Sequence, residues 1–306
     1  MTERGVGMEI RTLRSFLAVA REGNVTRAAR QLHITQPALS RQLSELEREL
    51  GCELLIREPR GVTLTEEGMI LRKRADEIVS LADRTEREVR SPTTEVEGDV
   101  WVGGGESRAM LLVARIAAEF RTKHPGIRFR IHSGNGVDVL ERVDKGLLDF
   151  GVVFGEGLDD DRHESLKLPH EDRWGVLMLR DHPLAGRESI TLNELRGERL
   201  VVSGEISGSD DRDSLAQHRI PMHGYDVAAT YTLLYNGSLL VEEGLGIALC
   251  FDGIVRTGEG TPFSYVPLEG VPPVSSHLIW KRYQSFSRPC DLFLRRMQEI
   301  SGTQRG

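Results

Sequence analysis

The stretch from Gly23 to Leu50, GNVTRAARQLHITQPALSRQLSELEREL, leaves few folds open to the chain that carries it. Leu39, Leu43, Leu46 and Leu50 recur at steps of four, three and four, which draws one apolar stripe along a helix. The opposite face carries Gln36, Ser40, Arg41 and Ser44. Thr35 stands where its hydroxyl can accept from the free N–H groups of the first turn, and Pro37 is tolerated there because those groups lack helical partners anyway. Upstream, Thr26 can cap a short helix whose Ala28, Ala29 and Leu32 make a narrow face, with His33 and Ile34 at the turn. A polar second helix seated by leucines on a small-residue helix is the layout by which a helix-turn-helix offers side chains to the major groove. A plain helical hairpin is the alternative. Charge favours DNA: Arg11, Arg14, Arg21, Arg27, Arg30 and Arg41 face only Glu22 between Arg11 and Arg41, a surface that seeks phosphate.

The run TRAARQLHITQPALSRQLSELERELGCELLIREPRGVTLTEEG resembles the N-terminal domain of LysR-type transcriptional regulators, without a gap from about Met8 to Gly68. The agreement rests on Ala28-Ala29, Gln36-Pro37-Ala38-Leu39-Ser40, Leu50-Gly51, Arg57, and Leu64-Thr65 ahead of Gly68. Leu55 departs from the pattern, which usually has Phe where the wing packs onto the helices. The resemblance implies a winged helix-turn-helix over residues 8–65 that binds double-stranded promoter DNA. Thr26, Thr35, Gln36, Pro37, Ser40 and Arg41 are its candidate DNA contacts, joined by Arg57 and Arg60 on a hairpin that turns at Pro59 and Gly61.

The first helix is expected from Ile10 to Glu22, with Leu13, Phe16, Leu17 and Ala20 on one face and Gly23 as its stop. From Glu66 to Arg90 the chain is charged and helical, and Leu71, Ala75, Ile78, Ala82, Thr85 and Val89 follow a heptad seam. Such a helix can lie on its own domain. The resemblance implies instead a dimerising linker over 66–95, ended by Ser91-Pro92, in a homodimer or homotetramer that also meets RNA polymerase.

With 306 residues, 39% hydrophobic and 28% charged, the chain can bury two or three ordinary cores. Its net charge of −7 is unevenly divided: ten arginines stand against eight acids through Thr65, and the acidic excess lies beyond. Cys52, Cys250 and Cys290 lie far apart with no CxxC or paired His, as buried thiols of a reducing compartment do. No apolar run approaches the roughly 20 residues of a membrane span, and MTERGVG has no signal-peptide core, so a cytoplasmic protein without a membrane partner is expected.

Beyond Gly98, strands and helices alternate: Val100 to Val102, Ser107 to Lys123, Ile127 to Ile131, Val137 to Lys145, then Phe150 to Phe154, as in a parallel sheet. A second set holds strands at Trp174 to Leu179, Leu200 to Val202 and Gly246 to Cys250, and helices near Leu192 to Leu195, Asp211 to His218 and Leu233 to Glu243. Strands near Phe263 to Val266 and His277 to Lys281 and a helix from Arg288 to Ile300 close the chain. This half resembles the LysR effector domain through SGNGVDVLERVDKGLLDFGVV, Asp181-His182-Pro183-Leu184 and VEEGLGIAL. The fold class is therefore an α+β multidomain chain: winged helix-turn-helix, linker helix, and a two-lobed α/β periplasmic-binding-protein-like effector domain over 98–306. The resemblance implies that lobe I takes 98–170 and 264–306 and lobe II 171–263, with the chain leaving the first lobe near Leu168 to Trp174 and returning near Phe263 to Pro267.

Gly103-Gly104-Gly105-Glu106-Ser107 is neither a dinucleotide fingerprint nor a P-loop, since Arg108 replaces the third glycine and no GK[ST] follows. A glycine-rich strand-to-helix turn with a Ser107 hydroxyl suits a small anion such as a carboxylate; alternatively Ser107 only caps its helix, or does both. The resemblance places Ser133, Gly134, Asn135, Ser203, Gly204 and Asn236 around the same small-molecule effector. The histidines are scattered without HExxH, no GxSxG occurs, and the run Asp159-Asp160-Asp161 reads as a solvated loop. No enzyme, cofactor or metal is expected. An exported solute-binding protein would share the cleft but not the helix-turn-helix.

Overall fold

A computed structural model describes residues 8–58, 61–90, 96–155, 161–204, 220 and 222–302. The chain divides into two compact units after Ser91.

In the first unit, α1 (Ile10–Glu22), α2 (Val25–Gln31) and α3 (Gln36–Leu50) bury Leu13, Phe16, Val19, Ala28, Ala29, Leu39, Leu43 and Leu46 against one another. Gly23 ends α1 at φ 57°, a left-handed turn that its missing side chain allows. Two capping expectations are corrected. Asn24, not Thr26, caps α2, accepting from the Arg27 N–H at 3.0 Å, and Thr26 lies inside the helix, exposed. Thr35 occupies the cap position of α3, but its hydroxyl makes no capping bond.

The wing is an antiparallel pair, β1 (Leu55–Glu58) and β2 (Gly61–Leu64), seated by a buried Leu55 and tied to α1 by the Val62 N–H on the Gly23 carbonyl at 2.8 Å. Leucine thus fills the place where phenylalanine is usual. Helix α4 (Glu66–Arg90) begins with the Thr65 hydroxyl accepting from Gly68 N–H at 2.9 Å. A Cβ at Gly68 would stand 2.1 Å from the Leu54 carbonyl oxygen, so only glycine lets this helix pass so close to the wing.

The proposed seam along α4 divides. Leu71 and Ala75 pack with Val79 into the unit's own core, Ala75 at 0% exposure, and Arg14 of α1 pairs with Asp83. A heptad can face either its own domain or a second copy, and the first two seam positions take the former. Ile78, Thr85 and Val89 are exposed, as are Ile70 and Leu81 beside them.

The second unit holds two sheets. Lobe I is built from β3 (Gly98–Gly104), β4 (Ile127–Ser133), β5 (Phe150–Phe154), β6 (His163–Asp172) and β13 (Val274–Lys281), in the order β4-β3-β5-β13-β6. Helices α5 (Met110–Lys123), α6 (Gly136–Asp144) and α8 (Arg288–Ile300) accompany these strands. Lobe II combines β7 (Trp174–Leu179), β8 (Ile190–Thr191), β9 (Arg199–Ser203), β10 (Asp226–Tyr231), β11 (Ile247–Phe251) and β12 (Phe263–Glu269), with α7 (Leu234–Glu242). Its order is β10-β9-β11-β7-β12-β8, and a short turn of helix spans Glu194–Gly197. Each lobe encloses its own core, around Phe150, Trp280 and Phe293 in the first and Val176, Leu200 and Leu249 in the second.

Three expectations change. The lobe I sheet is mixed, because β13 runs antiparallel to both β5 and β6. Strand β6 was unforeseen: its Pro169 and many charges fit only the edge place it takes. The chain returns to lobe I after Glu269 rather than near Phe263 to Pro267, since those residues stay in register with β7 from Leu179 to Gly175. The expected helix from Asp211 to His218 lies outside the described residues. Among those described, no helix is long and apolar enough to cross a membrane.

Candidate functional site

On the first unit, α3 presents Gln36, Pro37 and Arg41 exposed and Ser40 partly so, opposite the buried leucines. Gln36 Nε2 donates to Ser40 Oγ at 2.9 Å, and Arg41 Nε reaches the Pro37 carbonyl at 3.4 Å, so the three polar side chains share the first turns. Ser15, buried on α1, donates to Gln42 at 3.2 Å and fixes the rotation of α3. Arg57 of the wing is exposed and stands 3.4 Å from Ser44 Oγ, bringing wing and helix to one surface. Thr26 and Thr35 are exposed nearby in the chain; Arg60 lies outside the described residues. Of the arginines counted in the sequence, Arg14 is turned to Asp83 and Arg27 to Glu22, while Arg11, Arg21 and Arg30 stand exposed.

In the second unit the loops at the strand ends of each lobe meet within that lobe. The loop after β3 meets the loop after β4 where Gly134 N–H donates to the Gly104 carbonyl at 3.2 Å. Ser133 is exposed there, and Asn135 caps α6 by accepting from Asp138 N–H at 2.8 Å. In lobe II, Ser203 pairs in register with Tyr231, whose ring packs on Gly237, one residue past the exposed Asn236. Gly204 follows Ser203. The two sides are bridged by Glu106, whose carboxylate accepts the backbone N–H of Leu234 at the start of α7.

Ser107 serves the start of its own helix, one of the two uses its position allowed. Its hydroxyl donates to Asp172 at 2.8 Å and accepts from Ala109 N–H at 2.9 Å, and Arg108 N–H also donates to Asp172 at 3.2 Å. Asp172 is fully buried, with Ser276 donating to it at 3.0 Å. The helix start therefore already holds an anion supplied by the chain, and an added carboxylate at Ser107 would meet like charge. The same holds for α7, whose first turn Glu106 occupies. Reasoning from sequence missed both acids as occupants. Glu106 was visible in the glycine loop; Asp172, 65 residues from Ser107, had no local signal.

Beside this cleft, His132 Nε2 lies 2.5 Å from Asp138 Oδ2, and Arg142 donates to Asp138 Oδ1 at 2.9 Å. Burial pushes the Asp138 carboxyl up, but the hydrogen bonds from His132 and Arg142 outweigh it and hold the group below its ordinary range. Cys250 and Cys290 are buried, as expected, and burial pushes the Cys250 thiol up, which makes it inert; Cys52 is only partly buried.

The chain resembles known proteins over both units. Residues 10–69 match the bacterial regulatory helix-turn-helix protein model of the lysR family, and residues 93–301 match the LysR substrate binding domain. The Hca operon transcriptional activator HcaR of Escherichia coli is 31% identical over 284 residues, covering 90% of this chain and 92% of that protein. The HTH-type transcriptional regulator CysL of Bacillus subtilis is 28% identical over 246 residues, covering 80% and 81%. The crystal structure of CbnR, a LysR family regulator, superposes with a TM-score of 0.74 at 21% identity, covering 96% of this chain and 99% of that one. CbnR complexed with its target DNA gives 0.72 at 20%, with coverage of 96% and 100%. These likenesses extend over helix-turn-helix and two-lobed unit alike, and the chain belongs to the LysR family, as a DNA-binding transcriptional regulator with a substrate-binding domain.

Proposed function

We propose that a small polar effector binds between the two lobes of the second unit and, by changing how far they close, alters how the protein occupies promoter DNA. The observation that carries this reading is the Glu106–Leu234 bridge: the lobes meet across the cleft through a contact that a ligand can replace. A ligand shifts such an equilibrium by as much as it prefers one arrangement over the other. Ser133, Gly134 and Asn135 from lobe I and Ser203, Gly204 and Asn236 from lobe II supply its polar partners. Because the chain's own carboxylates hold both helix starts, the favoured effector is neutral or cationic, and an anion enters only by displacing Glu106.

On DNA, Gln36, Ser40 and Arg41 reach base edges from the start of α3, while Thr26, Thr35, Pro37 and Arg57 meet the backbone. Two copies joined along the exposed Ile78, Leu81 and Val89 of α4 present two recognition helices to a dyad site in the cytoplasm. RNA polymerase, working from the same promoter, is the further partner.

The test is a thermal-shift screen of small acids, amines and neutral polar compounds on the wild-type chain and on Glu106→Gln, followed by operator footprinting. Compounds that stabilise the wild-type chain should change the footprint, and acids should gain on amines in the variant. If stabilising compounds leave the footprint unchanged, cleft and DNA are not coupled.

A further inference from the structure

Three side chains that neither the DNA surface nor the effector cleft employs as ligands converge where the chain passes between the lobes. His170 and Asp172 stand two residues apart on β6, so both project from one face of the strand, and Asp252 follows β11 of lobe II. One ligating atom from each lies within 4.8 Å of the other two. His170 Nε2 is shielded from solvent and has no hydrogen-bond partner; Asp172 Oδ1 stands 3.6 Å from it, beyond hydrogen-bond reach. A bare imidazole nitrogen held this far from a carboxylate oxygen is poor hydrogen bonding but good ligand spacing. Atoms bound tetrahedrally to one ion at about 2.0–2.1 Å stand about 3.4 Å apart.

The surroundings hold both carboxylates in place. Asp172 Oδ2 accepts from the Ser107 and Ser276 hydroxyls at 2.8 and 3.0 Å, and Asp252 Oδ1 accepts from Arg173 N–H at 3.1 Å. Outer hydrogen bonds of this kind fix metal-binding carboxylates and raise their affinity. A cavity of about 510 Å³, lined in part by His170, Glu171, Arg173 and Asp252, gives an ion access and leaves room for water ligands. The competing cation is Arg108, whose guanidinium lies 3.6 Å from Asp252 Oδ2 with its side chain 46% exposed, and a bound ion takes its place there.

We propose that His170, Asp172 and Asp252 form a site for a divalent first-row transition ion, and that the ion ties lobe I to lobe II beside the Arg173 crossing. One imidazole with two carboxylates matches zinc better than calcium or magnesium, which favour oxygen alone, and water completes the shell. Sequence reading excluded a metal because no ligand spacing was local; His170 and Asp172 are close, but Asp252 comes 80 residues later.

Full-length protein, stripped with a chelator, should bind zinc chloride by calorimetry at one ion per chain. Cobalt chloride in its place should give a visible absorption band without the near-ultraviolet thiolate band, which separates this site from Cys52. His170→Gln should weaken zinc binding by at least about a hundredfold, since even outer partners of metal ligands are worth about ten- to hundredfold. Asp252→Asn keeps an oxygen for Arg173 N–H, so it should fold while losing the ion. The site is overturned if the wild-type chain takes up no zinc at micromolar free metal, or if both variants, folded by circular dichroism, bind as the wild type does.

Discussion

Ser107 donates its hydroxyl proton to Asp172 at 2.8 Å, joining the start of α5 to the last residue of β6, where the chain leaves lobe I. Ser107→Ala removes one of the donors on a fully buried carboxylate. The expected loss is about 2 kcal/mol of stability, as for a hydrogen bond to a charged group. Urea unfolding followed by tryptophan fluorescence measures it. A variant as stable as the wild type would show that Ser276 and Arg108 N–H suffice to hold Asp172.

Arg41 stands exposed on the second turn of α3, beside Gln36 and Ser40. Arg41→Ala should weaken operator binding by about 1–3 kcal/mol while leaving affinity for unrelated DNA changed far less, because only base contacts discriminate sequence. Isotherms on operator and scrambled duplexes at one fixed salt concentration decide between base reading and a plain phosphate contact.

Ile78 and Ala75 lie on one helix but face different surroundings. Ile78→Asp charges an exposed position and should leave the first unit folded while dissociating the protein to monomers in sedimentation. Ala75, at 0% exposure, packs into the core, and Ala75→Asp should unfold the unit. Should Ile78→Asp sediment as the wild type does, the copies associate through another surface.

Asp138 has a carboxyl held below its ordinary value of 3.8, so it favours the folded state in its charged form. Its contribution is fully present above that ordinary value and is lost as pH falls through the lower folded one. Asp138→Asn should therefore lower Tm at neutral pH, and the gap to the wild type should narrow as the solution becomes strongly acidic. A gap that stays constant with pH would mean that His132 and Arg142 do not act through the Asp138 charge.

What the sequence made legible was local. The stop of α1 at Gly23, the leucine face of α3 and the hairpin around Gly61 each depend on a few neighbouring residues, and each stands where expected. Asn24 was missed as a cap because Thr26 offered the same chemistry two residues on. The α4 heptad named apolar positions correctly but could not say what covers them, and Leu71 and Ala75 are covered from within. Of the loops at the strand ends, the one after β3 was readable from its glycines and hydroxyl, while those after β4 and β9 were placed only by the resemblance. Their electrostatics were not readable, because Asp172 reaches Ser107 only through the folding of β6 against β13.

The late return of the chain to lobe I has a consequence for synthesis. A ribosome releases every strand of lobe II before Val274, yet lobe I still lacks β13, the strand between β5 and β6, and the helix that brings Cys290, Phe293, Leu294 and Met297 to its core. The nascent protein must therefore shelter an open apolar trough in its first lobe while the second already has all its strands. Removing the last thirty or so codons would leave the earlier-made lobe, not the later one, prone to aggregate.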